Sequence, residues 1–261
     1  MNTLLETAIY AAYQAGLEII DVYGSAFDVE LKDDKTPLTE ADKRAHERIA
    51  KLLITTEIPI LSEEGKEIPF EDRKEWSRFW MVDPLDGTKE FVKRNGEFTV
   101  NIALIENGTP VMGVIYVPVT RTLYFSSESG SYKFKEFNGD VGKLEDWISG
   151  SKKLPIEEGK RSYTVVGSRS HLSDETKAFV NELSAERGEV TMVSMGSSLK
   201  ICLVAEGAAD IYPRFAPTME WDTAAGHAIL KGAGKELFDY TTNAPMVYNR
   251  KNLLNNWFIA K

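Results

Sequence analysis

The chain has 261 residues, 43% of them hydrophobic and 27% charged, which fits a globular protein of one large or two moderate domains. Its formal charge of −9 argues against a nucleic-acid polymer as partner, because such binding needs a positive footprint; a small anionic substrate still fits if bound cations reverse the local sign. A single cysteine, Cys202, excludes an intrachain disulfide framework and a Cys-rich zinc site, and three scattered histidines make no zinc signature.

Met1-Asn2-Thr3-Leu4-Leu5-Glu6 lacks the basic and apolar parts of a signal peptide, and no apolar run approaches the roughly eighteen residues of a membrane span, so a cytoplasmic location is expected. Residues 3–23 recur apolar at helical spacing (Leu4, Leu5, Ala8, Ile9, Ala12, Ile19, Ile20) and stop near Gly24. A second helix is expected from Thr39-Glu40-Ala41-Asp42 to about Thr56. Ile58–Leu61 reads as a short strand leading into Ser62-Glu63-Glu64-Gly65. The apolar run Trp80-Met81-Val82 reads as a buried strand, broken by Asp83-Pro84-Leu85-Asp86-Gly87-Thr88. Phe98–Glu106, Val111–Val117, Leu123–Ser126 and Tyr132–Phe134 alternate around Asn107-Gly108 and Ser129-Gly130, which predicts an antiparallel meander.

Residues 138–161 are polar and glycine-punctuated, the best candidate for a boundary, although Trp147 and Ile148 point to some packing. Beyond them strands and helices alternate: Tyr163–Val166, a helix near 173–184, Val190–Val193, a helix near 197–205, Asp210–Tyr212 and a helix near 222–232. Cys202 sits in an apolar helical pattern and reads as a small core residue. The layout is an α+β half at 1–150 and an α/β half at 151–261, with a cleft between them.

Two carboxylates split by a proline at the end of a strand, followed by a glycine and threonine where a helix can begin, suit a divalent cation and a phosphate held side by side. Asp-Pro and Asp-Gly are also ordinary turn dipeptides, Glu63 and Glu64 read equally as solvated loop residues, and Asp222 reads equally as an N-cap. What separates these readings is the combination. Leu61-Ser62-Glu63-Glu64, then Asp83-Pro84-Leu85-Asp86-Gly87-Thr88, then Trp221-Asp222-Thr223-Ala224-Ala225-Gly226 resembles the inositol monophosphatase superfamily of metal-dependent, lithium-sensitive phosphatases.

That resemblance implies a layered αβαβα sandwich of the sugar-phosphatase type and two or three Mg²⁺ per active site. Glu63, Asp83 and the Leu85 carbonyl would hold one ion, and Asp83, Asp86 and Asp222 a second. Gly87 and Thr88 would offer backbone N–H groups to the phosphate, beside Leu85, Asp86 and Asp222. Thr88 would pair with Asp42 to orient and deprotonate the attacking water, with Glu63 completing the catalytic set; Asp42 also suits a capping box with Thr39. Chemically the set is coherent: two cations about 3.5–4 Å apart acidify water, neutralise phosphoryl oxygens and stabilise the departing oxygen. No residue is then needed as a covalent nucleophile.

The continuation from Asp83 through Phe91 to Lys93-Arg94-Asn95-Gly96-Glu97-Phe98-Thr99-Val100-Asn101 resembles the bacterial 3′(2′),5′-bisphosphate nucleotidases, as do Gly196-Ser197-Ser198-Leu199-Lys200 and Tyr212–Thr218. This implies hydrolysis of the 3′-phosphate of adenosine 3′,5′-bisphosphate, linked to sulfate assimilation, and allows peripheral association with the cytoplasmic face of the inner membrane. Ser197, Ser198, Lys200 and Arg214 would bind the phosphate that is not cleaved, and His171 would touch the adenosine. Lys200 and Arg214 read equally as solvated surface cations. The alternatives are an inositol or sugar-phosphate monophosphatase and, in another class, a nucleotide sensor without turnover. Inositol monophosphatases carry an acidic residue seven positions before the helix-opening Asp; here Phe215 stands there, with Glu220 the nearest acid.

Overall fold

Small and apolar side chains at helical spacing bury one stripe of α1 (Asn2–Tyr23), including Leu5, Ala8, Ile9, Ala12 and Ile19. The structure is a computed structural model that describes residues 2–24, 40–140, 142–156, 159, 161–169 and 173–261, and the backbone of 29–31 and 37–39. β1 (Val29–Leu31) and β2 (Pro37–Thr39) form an antiparallel pair. α2 (Glu40–Leu53) follows, closed by a 3₁₀ turn at Ile54–Thr56.

Then come β3 (Ile60–Ser62), α3 (Phe70–Arg73), β4 (Arg78–Asp86), α4 (Thr88–Val92), β5 (Thr99–Glu106), β6 (Thr109–Val117), β7 (Thr122–Ser127), β8 (Gly130–Phe134), α5 (Leu144–Ser149) and β9 (Lys152–Lys153). The seven strands from β3 to β9 form one sheet in chain order, with β3 parallel to β4 and every other pair antiparallel. The expected meander is therefore present, extended at both ends. β9 lies inside the polar stretch 138–161, where Trp147 anchors α5 by packing edge-on against Phe137, ring centroids 5.7 Å apart.

The second half contributes β10 (Tyr163–Ser168), α6 (Asp174–Arg187), β11 (Val190–Met195), α7 (Leu199–Glu206), β12 (Tyr212–Arg214), α8 (Glu220–Gly232), β13 (Leu237–Asp239) and β14 (Phe258–Ala260). β10 and β11 are parallel, a bridge joins Val165 to Ile211, and β14 lies between β12 and β13. β12 starts two residues later than the pattern suggested, because Asp210 spends its carboxylate on Arg161 and on the Thr164 N–H. β13 and β14 had no sequence signal: three residues are too short to show a period of two.

The layers run α1 and α2, the seven-stranded sheet, α7 and α8, the short strands β10–β14, then α6, an αβαβα order as expected. Both faces of the large sheet are buried. Trp80 and Val82 enter the core under α1 and α2, while Phe79 and Met81 enter the one under α7 and α8. A strand covered on both sides reads as an unbroken apolar run, which is how it appears in the sequence. α8 crosses β6 at Gly113, where an added Cβ would sit 2.2 Å from the Ala225 carbonyl oxygen.

Candidate active site

In a regular strand, residues three apart face opposite sides. Asp83 and Asp86 escape this because β4 carries one extra residue between them. Asp83 lies opposite Asn101 and Asp86 opposite Thr99, so three steps on β4 match two on β5. This bulge brings both carboxylates to the face shared by Thr99 and Asn101. Pro84 fits the break, since it has no N–H to leave unpaired. The Leu85 N–H donates to Asp83 Oδ1 at 3.1 Å. Gly87 follows with φ of 94°, in a space where a Cβ would meet the Glu97 carbonyl oxygen at 3.1 Å and Ser197 Cβ at 3.2 Å. Only glycine suits both the conformation and the space.

Glu63 arrives from the neighbouring strand. β3 runs parallel to β4, and the Glu63 N–H donates to the Val82 carbonyl at 3.1 Å, just before Asp83. Asp222 arrives from α8. The helix opens at Glu220 and not at Asp222 as the pattern suggested, so Asp222 is its third residue and accepts the Met219 N–H at 2.8 Å. Capping and site membership coexist in this one side chain. Carboxylate oxygens of Glu63, Asp83 and Asp222 all lie within 4.8 Å of one another.

Burial pushes the Asp83 carboxyl well above the usual carboxylate range, and the neighbouring charges of Glu63, Asp86 and Asp222 add to it. Asp222 is raised by burial, then by Asp86 and Glu63. Asp86 is raised by burial too, but Lys200 and the donors Ser198 and Asn101 pull it back. Crowded, oxygen-only, short of positive charge and with Asp83 buried at its centre, this donor set fits a hard divalent cation. Asp86 stands beside the group of three: its Oδ2 accepts the Ser198 N–H and, at 3.4 Å, the Asn101 amide.

The other expected residues gather around this centre. Asp42 is 2% exposed, and Thr88 Oγ1 lies 3.4 Å from both Asp42 Oδ2 and the Leu85 carbonyl. Ser197, with φ of 44°, and Ser198 precede α7, which begins at Leu199 rather than near 197. Lys200 is no solvated surface cation. It is 7% exposed, donates to the Ser197 carbonyl and sits 5.5 Å from the Tyr212 ring centroid, and burial lowers its pKa to about 8. Arg214 donates to the Pro217 carbonyl at 3.0 Å. Leu85, Lys200, Arg214 and the carboxylates line one cavity of about 380 Å³, within the usual range for small-molecule sites. His171 lies outside the described residues.

Phe215 packs among Phe179, Tyr240 and Trp257. Glu220 is wholly buried and accepts the N–H groups of Asn249 and Arg250 and the Arg250 side chain. Cys202 is a core residue as expected; burial pushes its thiol up. His46 and His227 are packing residues, bonded to Ser62 and Tyr248 respectively. Tyr212 lines the same cavity, and Thr99 and Asn101 stand beside Asp86; the sequence reading quoted all three within longer segments and assigned them no role. The signal was available for Thr99 and Asn101: polar residues at i and i+2 interrupt an otherwise apolar strand.

The model of the inositol monophosphatase family matches residues 1–260. A 3′(2′),5′-bisphosphate nucleotidase CysQ of Salmonella typhimurium is 44% identical over 259 residues, covering 98% of each chain. The protein of that name from Escherichia coli K12 is 42% identical over 260 residues, with 98% of each covered. Among solved structures, CysQ from Bacteroides thetaiotaomicron superposes with a TM-score of 0.93 at 49% identity, over 100% of this chain and 97% of that one. The suhB protein of Bartonella henselae gives 0.74 at 25% identity, over 99% and 93%. With a family match over residues 1–260 and a superposition that covers all of it, the chain belongs to the inositol monophosphatase family.

Proposed function

We propose that the protein is a Mg²⁺-dependent 3′(2′),5′-bisphosphate nucleotidase that releases the 3′-phosphate of adenosine 3′,5′-bisphosphate, giving AMP and inorganic phosphate. The observation that carries this reading is full-length identity of 42–44% to bisphosphate nucleotidases, joined to an acidic centre and a buried Lys200 that line one cavity. Sulfate assimilation is the setting that such a substrate suggests, in the cytoplasm. No helix among the described residues is long and apolar enough to cross a membrane.

Glu63, Asp83 and Asp222 would hold Mg²⁺, with the Leu85 carbonyl and Asp86 completing two or three ion positions. Bound there, Mg²⁺ would acidify water and neutralise phosphoryl oxygens. The chain's own groups divide the remaining work. Thr88, 3.4 Å from Asp42, orients the attacking water and passes its proton to the Asp42 carboxylate. Water oxygen bonds to phosphorus as the 3′-oxygen departs and takes up a proton. The N–H groups of Gly87 and Thr88, at the start of α4, face the phosphoryl oxygens. Lys200 and Arg214 hold the phosphate that stays. Residues 1–150 thus supply Asp42 to Thr88, and 151–261 supply Asp222 and the second phosphate site.

An inositol phosphate suits this cavity poorly. At the position where inositol monophosphatases place an acid, Phe215 is locked in an aromatic cluster, and the carboxylate of Glu220 is consumed by Arg250 and its neighbours. The test is phosphate release with Mg²⁺ from adenosine 3′,5′-bisphosphate, inositol 1-phosphate and fructose 1,6-bisphosphate. The bisphosphate nucleotide should be the preferred substrate. Preference for inositol 1-phosphate would overturn the assignment, and tight nucleotide binding without turnover would make the protein a sensor.

A further inference from the structure

Glu97-Phe98 leads into β5 at Thr99-Val100-Asn101, and the polar members of this segment reach three parts of the site that are distant in sequence. Glu97, just ahead of the strand, accepts the Gly196 N–H at 2.8 Å and two N–H groups of Arg169 at 2.8 and 2.7 Å. It packs so tightly on Gly196 that a Cβ there would meet Glu97 Cβ at 2.9 Å. Thr99 Oγ1 lies 2.8 Å from Ser198 Oγ and 3.1 Å from Asn101 Oδ1. Ser198 Oγ donates to the same Asn101 oxygen at 2.8 Å. Ser198 N–H and the Asn101 amide both donate to Asp86 Oδ2.

Thr99, Asn101 and Ser198 are each 3% exposed or less. A buried polar network is retained at a cost unless its members are mutually satisfied, and these are. Its two ends differ in kind. One end fixes a carboxylate of the acidic centre; the other fixes the turn that carries Ser197 and leads into Lys200. Register explains why a strand can do both: Thr99 and Asn101 stand opposite Asp86 and Asp83, on the face that looks at the site.

We propose that Glu97, Thr99 and Asn101 are positioning residues that hold the cation centre and the second-phosphate turn from one segment of chain, Asn101 fixing Asp86 directly, Thr99 through Asn101 and Ser198, and Glu97 fixing the turn at Gly196. Ser198 is the link: its hydroxyl faces Thr99 and Asn101 and its N–H faces Asp86, so it acts through the network rather than as a phosphate donor. The proposal rests on the nucleotidase reading above. It adds that the network's two ends affect different kinetic constants. Asn101 and Thr99 hold Asp86 and so act on kcat and on Mg²⁺ affinity. Glu97 holds only the turn and Arg169, and so acts on KM for substrates with two phosphates.

The experiment compares wild type with Asn101→Ala, Thr99→Val, Thr99→Ser and Glu97→Gln. Hydrolysis of adenosine 3′,5′-bisphosphate and of 3′-AMP is measured, together with calorimetric Mg²⁺ binding without substrate. Asn101→Ala and Thr99→Val should lower kcat for both substrates and weaken Mg²⁺ binding by roughly 10–100-fold, the usual cost of losing a partner of a metal ligand. Thr99→Ser keeps the hydroxyl and should restore wild-type values within about twofold. Glu97→Gln should raise KM for the bisphosphate by roughly tenfold, with kcat, 3′-AMP hydrolysis and Mg²⁺ binding unchanged. The proposal is overturned if Asn101→Ala leaves Mg²⁺ binding intact, if Thr99→Ser behaves like Thr99→Val, or if Glu97→Gln weakens both substrates equally. A wild-type protein that does not hydrolyse the bisphosphate would instead overturn the nucleotidase reading, and calorimetry would still report on Asn101 and Asp86.

Discussion

Replacing Asp83 by Asn should make the metal-free protein more stable and the enzyme inactive. Asp83 is 1% exposed and shares its space with Glu63 and Asp222, whose oxygens lie within 4.8 Å. At an effective dielectric of about 20, two unit charges about 5 Å apart repel by about 3 kcal/mol. Retained protons relieve part of this, which leaves about 1–3 kcal/mol to be gained when one charge is removed. The amide keeps an oxygen for the Leu85 N–H, now at 3.1 Å, so the turn loses nothing else. For a chain of this size, about 3 °C per kcal/mol predicts a melting temperature about 3–9 °C above wild type in chelator. Saturating Mg²⁺ at about a hundred times its dissociation constant adds about 2.7 kcal/mol to wild type, and this rise should vanish in Asp83→Asn. Phosphate release should fall at least about a hundredfold. Thermal melts with EDTA and with Mg²⁺, beside the activity assay, decide the matter. A variant that melts below wild type in EDTA and keeps its Mg²⁺-dependent rise would refute the picture of mutually repelling ligands.

Lys200→Ala should raise KM for adenosine 3′,5′-bisphosphate by roughly tenfold or more while sparing 3′-AMP. Because the ammonium is lost as pH passes about 8, KM of wild type for the bisphosphate should climb above that pH, and the variant should not follow it. Gly113→Ala should cost about 3 kcal/mol or more in chemical denaturation, since its Cβ would lie 2.2 Å from the Ala225 oxygen; a loss under about 1 kcal/mol would mean that α8 moves away freely. Burial lowers the His227 pKa below its usual 6.5, with Lys231 in the same direction and the bonded Glu236 carboxylate opposing it. The unfolded chain therefore takes up the proton first, so stability should fall as pH drops below about 6.5, by at most about 1.4 kcal/mol per pH unit. His227→Gln should flatten that slope in melts between pH 5 and 7, and an unchanged slope would place the titration elsewhere.

Legibility in the sequence tracked the physics of each signal. Long amphipathic segments announced themselves: α1, α2 and the meander strands bury many residues on one or both faces, and that burial writes a period. β13, β14 and β9 are two or three residues long, and their strand character is imposed by neighbours. Within the site, Asp83, Asp86 and Asp222 could be named from motifs, but not how they meet. Asp86 reaches the right face through a bulge whose register depends on β5, and Asp222 joins from a helix more than a hundred residues away. Lys200 was ambiguous because one turn of helix looks alike buried or exposed; only the packing of α7 and Tyr212 decides it. Thr99 and Asn101 were visible as polar interruptions of a strand, and only the cross-strand partners give the interruption its meaning.

The manner in which the carboxylates are held explains why this centre calls for a cation. Asp83 accepts the Leu85 N–H, Asp222 the Met219 N–H, and Asp86 the Ser198 N–H. Backbone donors fix an oxygen in place yet bring no countercharge, so the acids are oriented without being neutralised. An arginine in the same role would have formed an ion pair and lowered each pKa, leaving little net charge to attract Mg²⁺. Lys200 is the exception that tests the rule. Its charge favours the ionised form of Asp86, but it donates to the Ser197 carbonyl, and so it remains available to a phosphate. Orientation by neutral dipoles, with the buried ammonium of Lys200 set aside for substrate, is what lets an acidic protein present one face to a metal and another to an anion within a cavity of about 380 Å³.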